Sequence, residues 1–477
     1  MYMGKYFASN KKIFIPVFCA VLFLTILCGC TKEDDESGVT VLRVSSWEEY
    51  IDEGGWNEDE TIDLDDGTEI LGINNMIDDF EDWYEKTYGK KVRVEYSTFG
   101  TNEELYNQMS LGDKYDLVCP SEYMIMKLMQ EGRLQPFSKE FYDKSDKNNF
   151  YSAGVSPYIK NVFDNLEIGE ERLTQYAAGY MWGVMGFVYK SDEVPDDDTR
   201  NWKMMLDIKY RKRITMKDSV RDSYIVALAL MNEEMLLSPE FINADDYGSR
   251  LSEIMNDTSQ ETVKKAEEIL TKMCENSYSL ETDSGKADLV SGKVVANLQW
   301  SGDGVYTLDQ AEEDDLYLSY AVPEEGSNLW FDGWCMMKNG IAGDNERQHA
   351  AEAFVNYVSR PDNVIRNMYY VGYTSVIAGG ESDLIYQYAD WCYGAEEDDE
   401  AVDYPLGYFF AGEDKKDDED YVLSVPAGEE NRQVYAQYPN LETIKRCAVM
   451  KNFNDEENRI ISQMWTNIRC FDLKSLF

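Results

Sequence analysis

Aromatic rings and carboxylates recur side by side along this chain. Trp47, Glu48 and Tyr50 fall in SSWEEY (45–50), and Ser121 and Tyr123 in PSEY (120–123). Asp218 and Asp222 flank DSVRD, Trp300 and Asp303 lie in QWSGDG, Trp330 and Asp332 in LWFDGW, and Tyr373 in VGYTS. A ring face attracts a cation as well as apolar surface. A carboxylate is the partner an ammonium group needs if it is to leave water. Rings with several carboxylates therefore suit a linear cation whose methylenes want apolar walls. A sugar would use the rings without needing so many acids, but a sugar or another organic cation remains open on residue types alone.

Catalytic devices are poorly supplied. The single histidine, His349, lies in RQHAAEAFVNYVSR, which reads as a helix with His349 on its surface, so no serine or cysteine has a base to activate it. HExxH, P-loop, GxGxxG and EF-hand patterns are absent from the sequence. Paired carboxylates could run glycoside hydrolysis, but 91 acidic residues guarantee some pairing by chance. The six cysteines beyond the leader (119, 274, 335, 392, 447 and 470) show no CxxC spacing for zinc. The expectation is a binding protein, not an enzyme, with no cofactor and no metal.

These residues need elements to hold them. VLRV (41–44), KVRVEYSTF (91–99) and YDLVCP (115–120) read as strands. MIDDFEDWYEKTY (76–88) puts Met76, Ile77, Phe80 and Tyr84 on one helical face before Gly89. Thr101, with Glu104 three residues on, marks a capping box for a helix over 101–112, and SEYMIMKLMQEG opens the next helix. Later strands are expected at 182–190, 213–216, 294–300 and 316–323, with a helix at 222–235. Strands alternating with helices predict mostly parallel sheets covered on both faces, with ligands beyond the carboxyl ends of the strands. The acidic runs at 396–400 and 413–420 are expected in solvated loops, and 52–69 is a further acidic insertion.

The first residues bear on location. Lys5, Lys11 and Lys12 precede the apolar run IFIPVFCAVLFLTILC (13–28), which is short for a bilayer span and suits a signal peptide. Leu27-Cys28-Gly29-Cys30 then resembles a lipobox. Residues 1–29 are expected to be a lipoprotein signal peptide, Cys30 the lipidated residue, and 30–40 its tether, holding the chain at the outer face of the cytoplasmic membrane. The whole sequence carries a formal charge of −46, and loss of the leader makes it more acidic still. Nucleic acid is excluded as a partner on that ground, and the field attracts cations.

In order and spacing, SWEEY, VEYSTFGTNEELYNQM, YDLVCPSEYMIMKLMQEGRLQPF, GYMWGVMGFVYK, DSVRDSYIVALAL, VVANLQWSGDG, VPEEGSNLWFDGW, SRPDNVI and YVGYTS resemble the spermidine/putrescine-binding proteins of bacterial ABC importers, the PotD family. The resemblance runs from about residue 41 to 379. It implies a monomeric, two-lobed periplasmic-binding-protein-like α/β fold of type II, with mostly parallel sheets joined by crossing hinge strands. The N-terminal lobe would be 41–183 with 331–380, and the C-terminal lobe 184–330 with 381–477. It also implies polyamines (spermidine or putrescine) gripped between closing lobes and delivered to permease subunits. By the same resemblance, Trp47, Glu48, Tyr50, Ser121, Tyr123, Trp300, Asp303, Trp330 and Tyr373 line the ligand. Asp222 holds one amine and Asp332 the central ammonium. The family's other acid aligns on Ser219, with Asp218 beside it, and a family glutamine falls near Met450.

Overall fold

A computed structural model of the chain describes residues 38–57, 60–282 and 284–474. The expected leader, Cys30 and most of the tether lie outside the described residues. Strand β1 (Val39–Trp47) runs parallel to β2 (Lys91–Phe99), in register from Val39 opposite Lys91 to Trp47 opposite Phe99. Between them, helix α1 (Met76–Tyr88) covers the sheet. Asn75 caps its first turn, Met76, Phe80 and Tyr84 are its buried residues, and Gly89 ends it at φ 65°. Helix α2 (Asn102–Leu111) follows, with Thr101 Oγ1 accepting from the Glu104 amide at 3.1 Å. The reciprocal half of the expected capping box is displaced by one residue, since the Glu104 carboxylate accepts from the Gly100 amide at 3.0 Å.

Strand β3 is only Leu117–Val118, much shorter than expected, because the chain turns at Pro120 to start helix α3 (Glu122–Gln130). Strand β4 (Ala177–Lys190) begins five residues before the expected 182. Its first half is rich in alanine and glycine, and lacks the apolar alternation that would betray it. Beyond it come β5 (Ile214–Lys217), helix α4 (Val220–Leu236), β6 (Leu280–Glu281), β7 (Ala296–Trp300), helix α5 (Ser301–Glu313), β8 (Leu318–Ala321) and β9 (Leu329–Met337). Helices α6 (Asn345–Val358) and α7 (Pro361–Val371) complete the first half's cover. His349 is on α6 and exposed, as expected, with Nδ1 2.9 Å from the Tyr84 hydroxyl.

The strand order is β6-β5-β7-β4-β9-β3-β1-β2. Both flanks are parallel: β1 with β2 and β3, and β5 with β6 and β7. The two central strands are antiparallel to each other and carry the sheet from one flank to the other. The first half of β4 pairs with β9, and the second half with β7 and β8. The fold is therefore a curled α/β sheet with crossing strands at its centre. One core gathers side chains of β1, α1, α3, β9 and α6, and a second gathers those of β5, α4, β7 and the C-terminal helix from Asp455. The stretch from Ile385 to Cys447 packs into the first core. It touches both halves of the sheet, since Phe409 stacks on Trp182 and Arg432 donates to the carbonyl of Leu318.

The expected acidic insertion at 52–69 is anchored, not merely solvated. Asp52 is fully buried and receives Arg366 Nη2 of α7 at 2.6 Å. Its other oxygen accepts from the Gly54 amide and the Trp56 indole, each at 3.0 Å. Arg366 also reaches Asp79 of α1 at 2.9 Å. Losing one partner of a buried pair leaves the other charge uncompensated, so Asp52→Asn should lower the unfolding free energy by about 3–5 kcal/mol. Urea unfolding of that variant beside Asp65→Asn, an exposed acid of the same insertion that should change little, checks this.

Candidate functional site

The site is organised around one carboxylate. Asp332 sits in the middle of β9, where the pairing with β4 slips by one residue: Asp332 faces Met181, but Gly333 faces Gly179. The extra residue on β4 is Tyr180, a bulge of the kind that re-aims side chains. Tyr180 donates its hydroxyl to the carbonyl of Tyr50 at 2.7 Å. Tyr50 in turn donates to Asp332 Oδ2 at 2.6 Å, and Ser121 donates to Oδ1 at 2.8 Å. Ser121 is bridged to Asp332 through the backbone and is held by Asn102, whose side chain reaches both Ser121 and Tyr123. Three chain segments far apart in sequence thus meet at one buried group.

Aromatic rings wall this carboxylate. Tyr50 and Tyr373 meet edge to face at 5.7 Å, and Tyr373 and Trp330 are tilted at 5.4 Å. Tyr373 lies against Gly302, where an added Cβ would come within 1.5 Å of its ring. That glycine is the space Tyr373 needs. The indole N–H groups of Trp47 and Trp330 are buried without a hydrogen-bond partner. Burial pushes the Asp332 carboxyl up to about 6. Tyr50, Ser121 and the nearby Trp47 indole, whose N–H falls short of a hydrogen bond, pull it part of the way back.

A second buried carboxylate opens the other flank. Ser219 caps α4 by accepting from the Asp222 amide at 3.4 Å. Trp300 Nε1 donates to Asp222 Oδ1 at 3.3 Å, and the Asn328 amide reaches the same oxygen at 3.5 Å. Burial raises the Asp222 carboxyl, opposed by Ser219, Trp300 and the charges of Lys217 and Arg221. Among the described residues, neither Asp332 nor Asp222 has a lysine or arginine nitrogen within 4.0 Å.

The expected residues are brought together only in part. Trp47, Tyr50, Ser121, Trp330, Asp332 and Tyr373 come together as described, and Trp300 joins Asp222. Tyr123 is nearby but is engaged by the protein itself: the Arg221 guanidinium lies 4.5 Å from its ring centroid. Asp218 pairs with Arg469 at 3.1 Å, and Asp303 with Lys286 at 3.2 Å. Glu48 is exposed in the turn after β1. Met450 is buried in the second core.

Four contributors went unread in the sequence: Lys217, Arg221, Glu122 and Tyr180. The first two were visible as the basic residues of KDSVRD, and only the fold shows them turned inward. Glu122 is almost fully buried and accepts from the Phe331 amide at 3.0 Å. Burial raises it to about 8, so it is chiefly protonated and uncharged at neutral pH. The two surface depressions lined by Met231, Asn232 and Lys265 and by Pro157, Ala411 and Glu413 share no residue with this cluster.

Residues 75–387 match the family model described as bacterial extracellular solute-binding protein. The chain is 23% identical over 273 residues to the spermidine/putrescine-binding periplasmic protein of Salmonella typhimurium, covering 57% of this chain and 66% of that one. It is 22% identical over 313 residues to the putrescine/agmatine-binding protein of Pseudomonas aeruginosa, covering 61% of this chain and 76% of the other. The chain thus spans just under two thirds of the Salmonella protein's length. Among solved structures, the spermidine/putrescine ABC transporter substrate-binding protein PotD of Streptococcus pneumoniae superposes with a TM-score of 0.57 at 21% identity, covering 91% of this chain and 99% of that one. The TpPotD lipoprotein of Treponema pallidum gives 0.57 at 16% identity, covering 90% and 99%. These likenesses establish a PotD-type periplasmic-binding fold.

The raised Asp332 has a consequence for stability. Its folded-state value of about 6 lies above the ordinary 3.8. The group therefore contributes stability that is complete below the ordinary value and is lost as pH rises through about 6. At neutral pH the charged form burdens the ligand-free protein. Asp332→Asn should then stabilise that protein by about 1–3 kcal/mol at neutral pH and by little near pH 4. Urea unfolding at both pH values checks this; equal destabilisation at both would show that the carboxylate is fully satisfied as it stands.

Proposed function

The chain belongs to the bacterial extracellular solute-binding proteins, and on that premise we propose that its solute is a linear polyamine, captured between two lobes and delivered to the permease of an ABC importer. One observation carries the reading: Asp332 is a buried carboxylate among aromatic rings, with no lysine or arginine nitrogen of the described residues within 4.0 Å. Leaving a charge so placed is costly unless a ligand supplies the opposite sign. An ammonium group among ring faces and a carboxylate does so, with each ring contact adding about 0.5–2 kcal/mol. A sugar hydroxyl would bond to Asp332 without neutralising it. The relatives named for spermidine, putrescine and agmatine support the same class.

In this reading the lobes are 41–183 with 331–380 and 184–330 with 381–477, and β4 and β9 form the crossing. Asp332, Tyr50 and Ser121 grip from one side and Asp222, Trp300 and Trp330 from the other. Neutralising two carboxylates requires contacts from both sides at once, which favours the closed arrangement when ligand is bound. The protein acts as a binder, not an enzyme. Cys30 carries the lipid that holds it at the outer face of the membrane beside its permease.

Titration calorimetry with putrescine, spermidine and a panel of neutral sugars tests the solute. Polyamines should bind, and folded Asp332→Asn should lose about 3–5 kcal/mol, a hundred- to several-thousand-fold in affinity. Unchanged amine binding by that variant, or tight binding of a sugar alone, would overturn the assignment. The anchor has a separate check. Cys30→Ala should leave the protein unlipidated and released from membranes in a fractionation experiment; a variant that stays membrane-bound with normal processing contradicts it.

A further inference from the structure

The acids of the site differ in whether the protein has already answered them. Asp218 is taken by Arg469, and Asp303 by Lys286. The most complete case is Lys217, the last residue of β5, whose side chain is wholly buried. Its ammonium lies 4.3 Å from the centroid of the Trp300 ring. It is 3.5 Å from Glu281 Oε1 and 3.9 Å from Asp303 Oδ2, and it donates to the carbonyl of Thr282 at 2.9 Å. A ring face with two carboxylates and a carbonyl is a complete receptor for an ammonium group. Here that receptor is filled by the protein's own side chain. It adjoins the ligand acids directly, because the same indole that carries Lys217 donates its N–H to Asp222.

What remains for a ligand is two buried carboxylates, Asp332 and Asp222, with no lysine or arginine nitrogen of the described residues within 4.0 Å, Lys217 and Arg221 acting on Asp222 only from further off. Resting on the polyamine reading above, we propose that Lys217 is a built-in cation occupying the position of a third ammonium, so that the site selects a linear dication over a trication. The two charges of the dication meet Asp332 and Asp222, and its methylenes lie along Trp330 and Tyr373. A third ammonium extending past Asp222 would approach Lys217 and find Glu281 and Asp303 already engaged. Like-charge approach in a desolvated region, with no free acid, is disfavoured. The choice of ligand would then be set by a residue that does not touch it.

Calorimetry on the whole folded protein with putrescine, which has two charges, and spermidine, which has three, decides this. Wild type should bind putrescine at least about tenfold more tightly than spermidine. The double variant Lys217→Met/Glu281→Gln removes the buried pair together, avoids an orphaned Glu281, and frees the Trp300 face and the Thr282 carbonyl for a third ammonium, while Asp303 stays with Lys286. It should shift the ratio toward spermidine by about tenfold or more. Lys217→Arg, which keeps the charge, should retain the putrescine preference. Equal or tighter spermidine binding by wild type overturns the proposal. So does an unchanged ratio in the folded double variant, which would make Lys217 purely structural. If the double variant does not fold, the wild-type preference and Lys217→Arg decide the matter. Failure of wild type to bind either amine instead sinks the polyamine reading itself.

Discussion

A carboxylate held out of water without a cation is the constraint around which this protein is built. Asp332 stays where it is because the surrounding structure over-determines it. The bulge at Tyr180 aims it, and hydroxyls of Tyr50 and Ser121 occupy both oxygens. Neither hydroxyl is free to drift. The carbonyl of Tyr50 is held by Tyr180, and the turn after it is fixed by the Asp52–Arg366 pair. Ser121 heads helix α3 and is held from α2 by Asn102. The destabilisation stored at Asp332 is thus supported by stabilising contacts elsewhere, the usual arrangement at functional sites. One feature of that support is electrostatic economy: the site's hydrogen-bond donors are neutral hydroxyls, which hold the carboxylate without using up its charge.

Charge operates on two scales. The formal charge of −46 creates a field that draws cations to the whole surface. That field falls off within a Debye length, about 8 Å at physiological salt, and cannot distinguish one cation from another. Discrimination must come from the interior, where the few basic residues are placed with care. Arg221 lies over Phe453 and Tyr123 and donates to the carbonyl of Lys451, tying the C-terminal segment to the residues beside Ser121. Lys217 neutralises Glu281. Glu122 avoids the problem by retaining its proton at neutral pH. Among the described residues, Asp332 and Asp222 are then left without a cation in ion-pair contact.

Much of the fold was legible in the sequence because its first half obeys simple periodicities. Helix α1 has the expected bounds and face, since Asn75 and Gly89 cap an unbroken 3.6-residue pattern. Strand β2 likewise follows its alternation from Lys91 to Phe99. Strand β9 shows no such pattern, being buried at every position, and the glycines and alanines opening β4 hide it in the same way. The central crossing was therefore least visible locally, although it determines where Asp332 points. Residue types in the sequence named the candidate acids, but could not sort them. Asp218, Asp222 and Asp303 look alike as letters. Only packing shows that Arg469 and Lys286 reach two of them while Trp300 and Asn328 offer the third nothing but neutral hydrogen bonds. The partners of Asp218 and Asp222 lie more than 70 residues away and that of Asp303 lies 17 away, separations that no local pattern encodes.

If the solute is the proposed polyamine, this division of acids also ties closure to charge. Asp332 lies on the crossing strand β9, and Asp222 lies at the start of α4 on the flank of β5 and β7. A ligand with a single positive charge could relieve only one of them and would leave the second buried and unanswered. A ligand with two charges relieves both, but only when the flanks are as close as Gly302 and Tyr373 allow. A side chain larger than hydrogen at 302 would hold that ring away. In the proposed polyamine reading, closure and charge neutralisation are one event rather than two. Each carboxylate makes the other's neutralisation worth more, because water must leave both before either ion pair gains its full strength in a low-dielectric site. The stretch from Ile385 to Cys447, packed across both halves through Phe409 and Arg432, limits how far the flanks can separate.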